Sequence, residues 1–146
     1  SLQPYTQLQR QNCALTYIEL NRDTLFAVNA GGIMPYIRRA NGQVEELDVG
    51  GFALGYGLGA QNGYRTQSCT LASGDMVLLV SDGVVEAKNS RNSLFSFERI
   101  ERVFASGPAS SAQAMLAHVL QAIQQFVDAL EPHDDLTVVI LRVANE

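Results

Sequence analysis

Short runs of branched and aromatic residues, separated by polar breaks, fill the first half of the chain, and helical periodicity fills much of the second. Residues 13–20 (CALTYIEL) and 24–29 (TLFAVN) flank the break Asn21-Arg22-Asp23, a pattern that predicts a β-hairpin. A second pair follows, 35–39 (PYIRR) and 43–49 (QVEELDV), joined through Asn41-Gly42. Asn-Gly between extended runs is a strong hairpin signal because both residues accept positive φ. Residues 50–63 (GGFALGYGLGAQNG) hold six glycines without usable periodicity and read as a loop. A further strand is predicted over 64–71, and Ser73-Gly74-Asp75 then turns the chain into MVLLVS at 76–81. That run and LTVVILRV at 136–143 are apolar at successive positions, which predicts strands covered on both faces.

Two helices are predicted. The first spans Ser96 to Phe104 on a Phe97, Ile100, Val103, Phe104 pattern and ends at Gly107-Pro108. The second runs from about Ser111 to Leu130, with Leu116, Val119, Leu120, Ile123, Val127 and Leu130 on one stripe and His118 facing solvent. Strands, then two helices, then a closing strand indicate an α+β domain rather than a βαβ repeat.

Composition narrows the partners. The 146 residues are 47% apolar, enough for one core and one domain. Ten basic against fifteen acidic residues give a net charge of -5, which argues against a nucleic-acid footprint and against an anionic membrane surface. No apolar run approaches the roughly 20 residues of a membrane span. Cys13 and Cys69 lack CxxC spacing and read as reduced, partly buried thiols of an intracellular protein.

Two acidic positions stand at the ends of the most apolar strands. Asp82, in Ser81-Asp82-Gly83, follows one strand, and Asp134-Asp135 precede the other. If those strands pair antiparallel, the tail of one meets the head of the other and the carboxylates gather at one sheet edge. Crowded carboxylates raise one another's pKa unless a cation neutralises them, and Mg²⁺ and Mn²⁺ prefer carboxylate oxygen. Gly83 leaves room for a close approach. The same residues also suit a plain turn and a solvated strand start. His133 beside Asp134 reads as exposed; Gly55, Gly57 and Gly59 match a phosphate-cradling loop only in part, since no helix start follows. Glu45, Glu46 and Asp48 read as a solvated acidic strand edge.

The segments NAGG, PYIRRANGQVEEL, GGFALG, LASGDMVLLVSDGVVEAKN, LFSFERI and HDDLTVVILRV, in that order, resemble the PPM-type, protein phosphatase 2C-like serine phosphatases of the SpoIIE/RsbU group. The resemblance implies an αββα sandwich of two antiparallel sheets flanked by helices. It also implies a binuclear Mn²⁺ or Mg²⁺ centre with Asp82 and Asp134 as catalytic metal ligands, Gly83 and Asp135 beside them, and hydrolysis of phosphoserine or phosphothreonine by activated water. The implied substrate is a phosphorylated STAS-type anti-sigma-factor antagonist in the cytoplasm, with an upstream sensor or receiver domain as control.

Two departures from the group stand out. Gly32 occupies a position where the group often has His, and the upstream Gly-Asp and Asp-Gly ligand segments are absent from this sequence. On that reading residues 1–146 form a single PPM-type domain incomplete at its N-terminus, inactive alone, with bare apolar surface that favours a homodimer or segment exchange. The competing expectation is a non-catalytic interaction module that kept the fold and lost the metals.

Overall fold

The computed structural model describes residues 12–55, 61–128 and 135–144. In chain order these residues form β1 (Leu15–Asn21), β2 (Thr24–Ala30), β3 (Tyr36–Arg38), β4 (Val44–Glu46), β5 (Thr66–Thr70), β6 (Met76–Val80), α1 (Asp82–Val85), α2 (Phe97–Ser106), α3 (Ala112–Val127) and β7 (Val138–Arg142). The described backbone packs as two compact units, residues 12–34 with 47–55 and 61–71, and residues 35–46 with 72–128 and 135–144.

The first unit holds an antiparallel sheet of order β1-β2-β5. Its hairpin turns on Arg22-Asp23, with Arg22 at φ +57° and Asn21 paired to Thr24. Directly opposed residues of an antiparallel pair share a face. Leu25 and Ala27 are buried on one face, whereas Leu15, Tyr17 and Phe26 are exposed on the other. Near the end of β2 the buried Asn29 closes a corner: its Oδ1 accepts from the Gly32 N–H (2.7 Å) and its Nδ2 donates to the Gly32 carbonyl (2.8 Å). A side chain at Gly32 would strike the Thr16 hydroxyl, which donates to the Ile33 carbonyl (3.1 Å).

The loop predicted over 50–63 is tied down at Leu54, which exchanges two main-chain hydrogen bonds with Cys13 (3.0 and 2.8 Å). Gly57 and Gly59 lie outside the described residues. Cys69 is half-buried, but Cys13 is exposed because it precedes the sheet rather than lying in it, which corrects the expectation of two partly buried thiols.

The second unit holds an antiparallel sheet of order β4-β3-β6-β7. The Asn41-Gly42 turn connects β3 and β4 as predicted, over shorter strands, with Gly42 at φ +89°. Met76, Val77 and Leu78 are all buried, so the first three residues of β6 are covered on both faces. β7 is not: Val139 is exposed and the other residues of the strand are only half-buried.

α2 packs on β3 and β4, α3 packs on β7, and the two helices pack on each other. α3 starts at Ser111, whose Oγ accepts from the Ala114 N–H (3.0 Å), a cap that satisfies an otherwise unpaired donor. Its buried residues are Met115, Val119, Ile123 and Val127, four apart; Leu120 lies a further 100° round from Val119 and is exposed. His118 does not face free solvent as predicted. Its Nε2 lies 3.2 Å from the Val103 carbonyl, because α2 crosses that flank of α3. Gly107 ends the α2 segment where a side chain would collide with Met115.

Candidate metal centre

Two apolar strands position the site. Their β propensity comes from branched side chains that suit a pleated surface, and their register is set by non-local pairing. β6 and β7 run antiparallel with Val80 opposite Val138, so the tail of the first meets the head of the second. The ladder continues one step through Ser81. Its N–H donates to the Thr137 carbonyl (3.0 Å), its hydroxyl oxygen accepts from the Thr137 N–H (3.0 Å), and the same hydroxyl donates to the Asp135 carbonyl (3.2 Å). One side chain thereby fastens the segment bearing Asp135 to the segment bearing Asp82. Ser81 was given no role on sequence grounds; the signal was a hydroxyl wedged between an apolar strand and Asp-Gly.

Immediately after Ser81 the chain turns into α1, where the sequence suggested only a turn. Gly83, Val84 and Val85 are buried, which pins this single helical turn, while Asp82 at its first position stays exposed. The Asp82 Oδ1 accepts from the Gly83 N–H (2.9 Å), orienting the carboxylate. Its Oδ2 takes no hydrogen bond from the described residues and is open to a ligand.

Asp82 and Asp135 thus share one end of the β6–β7 pair. Asp134 and His133, both singled out in the sequence, lie outside the described residues. Among the described residues no three His, Cys, Asp or Glu side chains converge into a metal-binding group. The donors that are present do fit a hard divalent cation, since carboxylate oxygens and the Gly83 main-chain oxygen are the ligand types Mg²⁺ and Mn²⁺ favour.

Asp75 has no place in this site. It lies at the opposite end of β6, only 2% exposed, where its Oδ1 accepts from the Ala40 N–H (2.9 Å) and its Oδ2 from the Ala72 N–H (3.0 Å) and Arg39 Nη1 (2.9 Å). Arg39 also pairs with Glu45. The acidic strand edge is therefore partly a structural clamp.

Known proteins bear out the architecture. The phosphatase domain of SpoIIE from Bacillus subtilis superposes with a TM-score of 0.68 at 18% identity, covering 97% of this chain and 60% of that one. The RsbU and RsbW domains of Rv1364c from Mycobacterium tuberculosis give 0.71 at 19% identity, covering 99% of this chain and 41% of that one. The phosphoserine phosphatase RsbU of Bacillus subtilis is 27% identical over 107 residues, which are 73% of this chain and 31% of the relative. The chain therefore spans under a third of that curated relative. The Stage II sporulation protein E (SpoIIE) family profile matches residues 5–144. With two antiparallel sheets and accompanying helices in the same α+β arrangement, the chain belongs to the SpoIIE family of PPM-type phosphatase domains.

Proposed function

We propose that the protein carrying this chain hydrolyses phosphoserine or phosphothreonine on a signalling protein, with Mn²⁺ or Mg²⁺ held by Asp82 and Asp134 and with Gly83 and Asp135 beside them. The observation that carries the reading is the β6–β7 register with its Ser81 clasp, which draws the Asp82 and Asp135 segments to one sheet end. Gathering carboxylates there costs electrostatic energy that a cation offsets. When bound, such cations make water a stronger nucleophile at neutral pH and offset charge on the phosphoryl oxygens.

The part of this chain is to orient and supply ligands. The Gly83 N–H fixes the Asp82 carboxylate, and the buried Val84 and Val85 hold the turn on which it sits. Water rather than a side chain is the nucleophile in this reading, so no covalent phosphoenzyme forms. Further ligands come from parts of the protein outside this sequence, and the 146-residue chain by itself turns over little or no substrate.

The family resemblance implies a phosphorylated STAS-type anti-sigma-factor antagonist as the substrate and an upstream sensor or receiver domain as control, and the name of the relative RsbU, a phosphoserine phosphatase, supports the phosphoserine chemistry. The setting is cytoplasmic. No helix among the described residues is long and apolar enough to cross a membrane.

The test is Mn²⁺-dependent phosphate release from a phosphoserine protein by the full-length protein. Asp82→Asn should lower the rate at least a hundredfold, and a chelator should abolish it. Equal rates for wild type and variant would remove Asp82 from the chemistry, and absence of Mn²⁺-dependent phosphate release by the wild type would favour the interaction-module reading. Robust turnover by the isolated chain would overturn the view that its ligand set is partial.

A further inference from the structure

Between α1 and α2 the chain makes an excursion that metal binding does not use. Its base is closed by main-chain hydrogen bonds from Phe95 N–H to the Ala87 carbonyl (2.8 Å) and from Ser96 N–H to the Val85 carbonyl (2.9 Å). Lys88 and Leu94 face each other in an antiparallel bridge. Asn89 orders the tip. Its Oδ1 accepts from the N–H groups of Arg91 and Ser93 (3.0 Å each), and its main chain bonds Ser93 and Asn92 (3.1 and 2.9 Å). The buried Phe95 anchors the root edge-on against Phe126 of α3, with ring centroids 5.3 Å apart.

A hairpin so firmly held presents side chains that pack on little. Leu94 is 49% exposed; Phe97, the first residue of α2, is 53% exposed and so leaves the apolar stripe on which the sequence pattern put it; and Lys88 and Arg91 are exposed without an ion pair among the described residues. Cross-strand partners lie on the same face, so Lys88 stands beside Leu94. Exposed apolar groups next to cations, on a rigid scaffold in a chain of net charge -5, form a surface preorganised for an acidic partner.

The hairpin is also near Asp82. Lys88 follows it by six residues; three steps at the helical rise and three at most fully extended keep the two Cα atoms within about 15 Å. An extended peptide advances about 3.4 Å per residue. That ceiling, together with the reach of a Lys or Arg side chain, lets residues up to about five positions from a phosphoserine at Asp82 meet the hairpin.

We propose that the Lys88–Leu94 hairpin docks the phosphoprotein substrate, with Lys88 and Arg91 selecting acidic side chains three to five residues from the phosphoserine and Leu94 and Phe97 seating an apolar neighbour. The proposal rests on the phosphatase reading of Asp82.

Its test uses the full-length protein with Mn²⁺ and two fluorescein-labelled peptides that carry a non-hydrolysable phosphonate in place of the phosphoserine phosphate, one with Glu and one with Gln at positions three to five on each side. At low salt the Glu peptide should bind about five-fold tighter, the order of magnitude of two exposed charge pairs. Lys88→Glu/Arg91→Glu should erase or invert that preference, the milder Lys88→Gln/Arg91→Gln should reduce it, and Lys88→Arg/Arg91→Lys should keep it. Hydrolysis of p-nitrophenyl phosphate, too small to reach the hairpin, should not change. Equal binding of the two peptides to the wild type, or a preference that survives charge reversal, would overturn the docking role. Absence of p-nitrophenyl phosphate hydrolysis by the wild type would instead sink the catalytic reading, since the binding preference is measured independently of turnover.

Discussion

Replacing Asp75 by Asn should destabilise the protein by about 3 kcal/mol at neutral pH. The carboxylate is 2% exposed and accepts three hydrogen bonds, from the N–H groups of Ala72 and Ala40 and from the Arg39 guanidinium. Asn has one acceptor oxygen, and its NH₂ would face the donors that Oδ2 now satisfies. Bonds to charged groups contribute roughly 1.5–3 kcal/mol each, and an orphaned buried donor costs roughly 1–3 kcal/mol. Relief from burying an ionised carboxylate offsets part of this, leaving about 3 kcal/mol. Urea unfolding is the assay; with slopes of about 1–3 kcal/mol per molar, the midpoint should fall by roughly 1–3 M.

The same clamp has a pH signature. Burial by itself pushes the Asp75 carboxyl up, but the Ala72 and Ala40 N–H groups and Arg39 outweigh it and hold it below the usual 3.8. A carboxyl with a lowered folded-state pKa takes up protons more readily in the unfolded chain, so its stabilisation is complete above 3.8 and drains away as the pH falls toward the folded value. The gap between wild type and Asp75→Asn should therefore narrow below pH 3.8. A variant with the wild-type midpoint at pH 7, or a gap that stays constant through that acid window, would refute the reasoning.

Other outcomes follow from single contacts. Gly51→Ala drives a Cβ into the main-chain carbonyl of Asn29, where a backbone and not a flexible side chain must yield; thermal unfolding should register a loss of about 3 kcal/mol or more, and a near-native melt would refute it. Arg99→Ala removes a guanidinium 4.5 Å from the Phe126 ring centroid and 5.8 Å from that of Phe95, and should cost about 1 kcal/mol in denaturant unfolding. Ser81→Ala unfastens the Thr137 N–H and the Asp135 carbonyl. It should cost about 1–2 kcal/mol of stability and weaken Mn²⁺ binding by calorimetry, whereas unchanged affinity would mean the clasp does not position the ligands.

Both hairpins, the Ser111 cap, the stop at Gly107 and the acidic residues at the strand ends could be read from residue order, because turn chemistry, capping and apolar periodicity act over a few neighbours. What could not be read were facts about partners distant in sequence. The stripe on α3 records which residues prefer burial, but the choice of Val119 over Leu120, and the meeting of His118 with Val103, depends on where α2 lies. Asp75 looked like an ordinary turn residue until Arg39 and Ala40, 36 and 35 positions away, came to surround it.

For the site, the chain itself determined that carboxylates follow one apolar strand and precede another, and that a Gly stands beside the first. Only the tertiary structure decided that those strands are neighbours and antiparallel, with Val80 opposite Val138, and that Ser81 ties the two ends together. The reason is entropic as much as geometric. Closing more than fifty residues between Ser81 and Asp135 must be offset by the packing of all the elements in between, and no local stretch of sequence contains that sum.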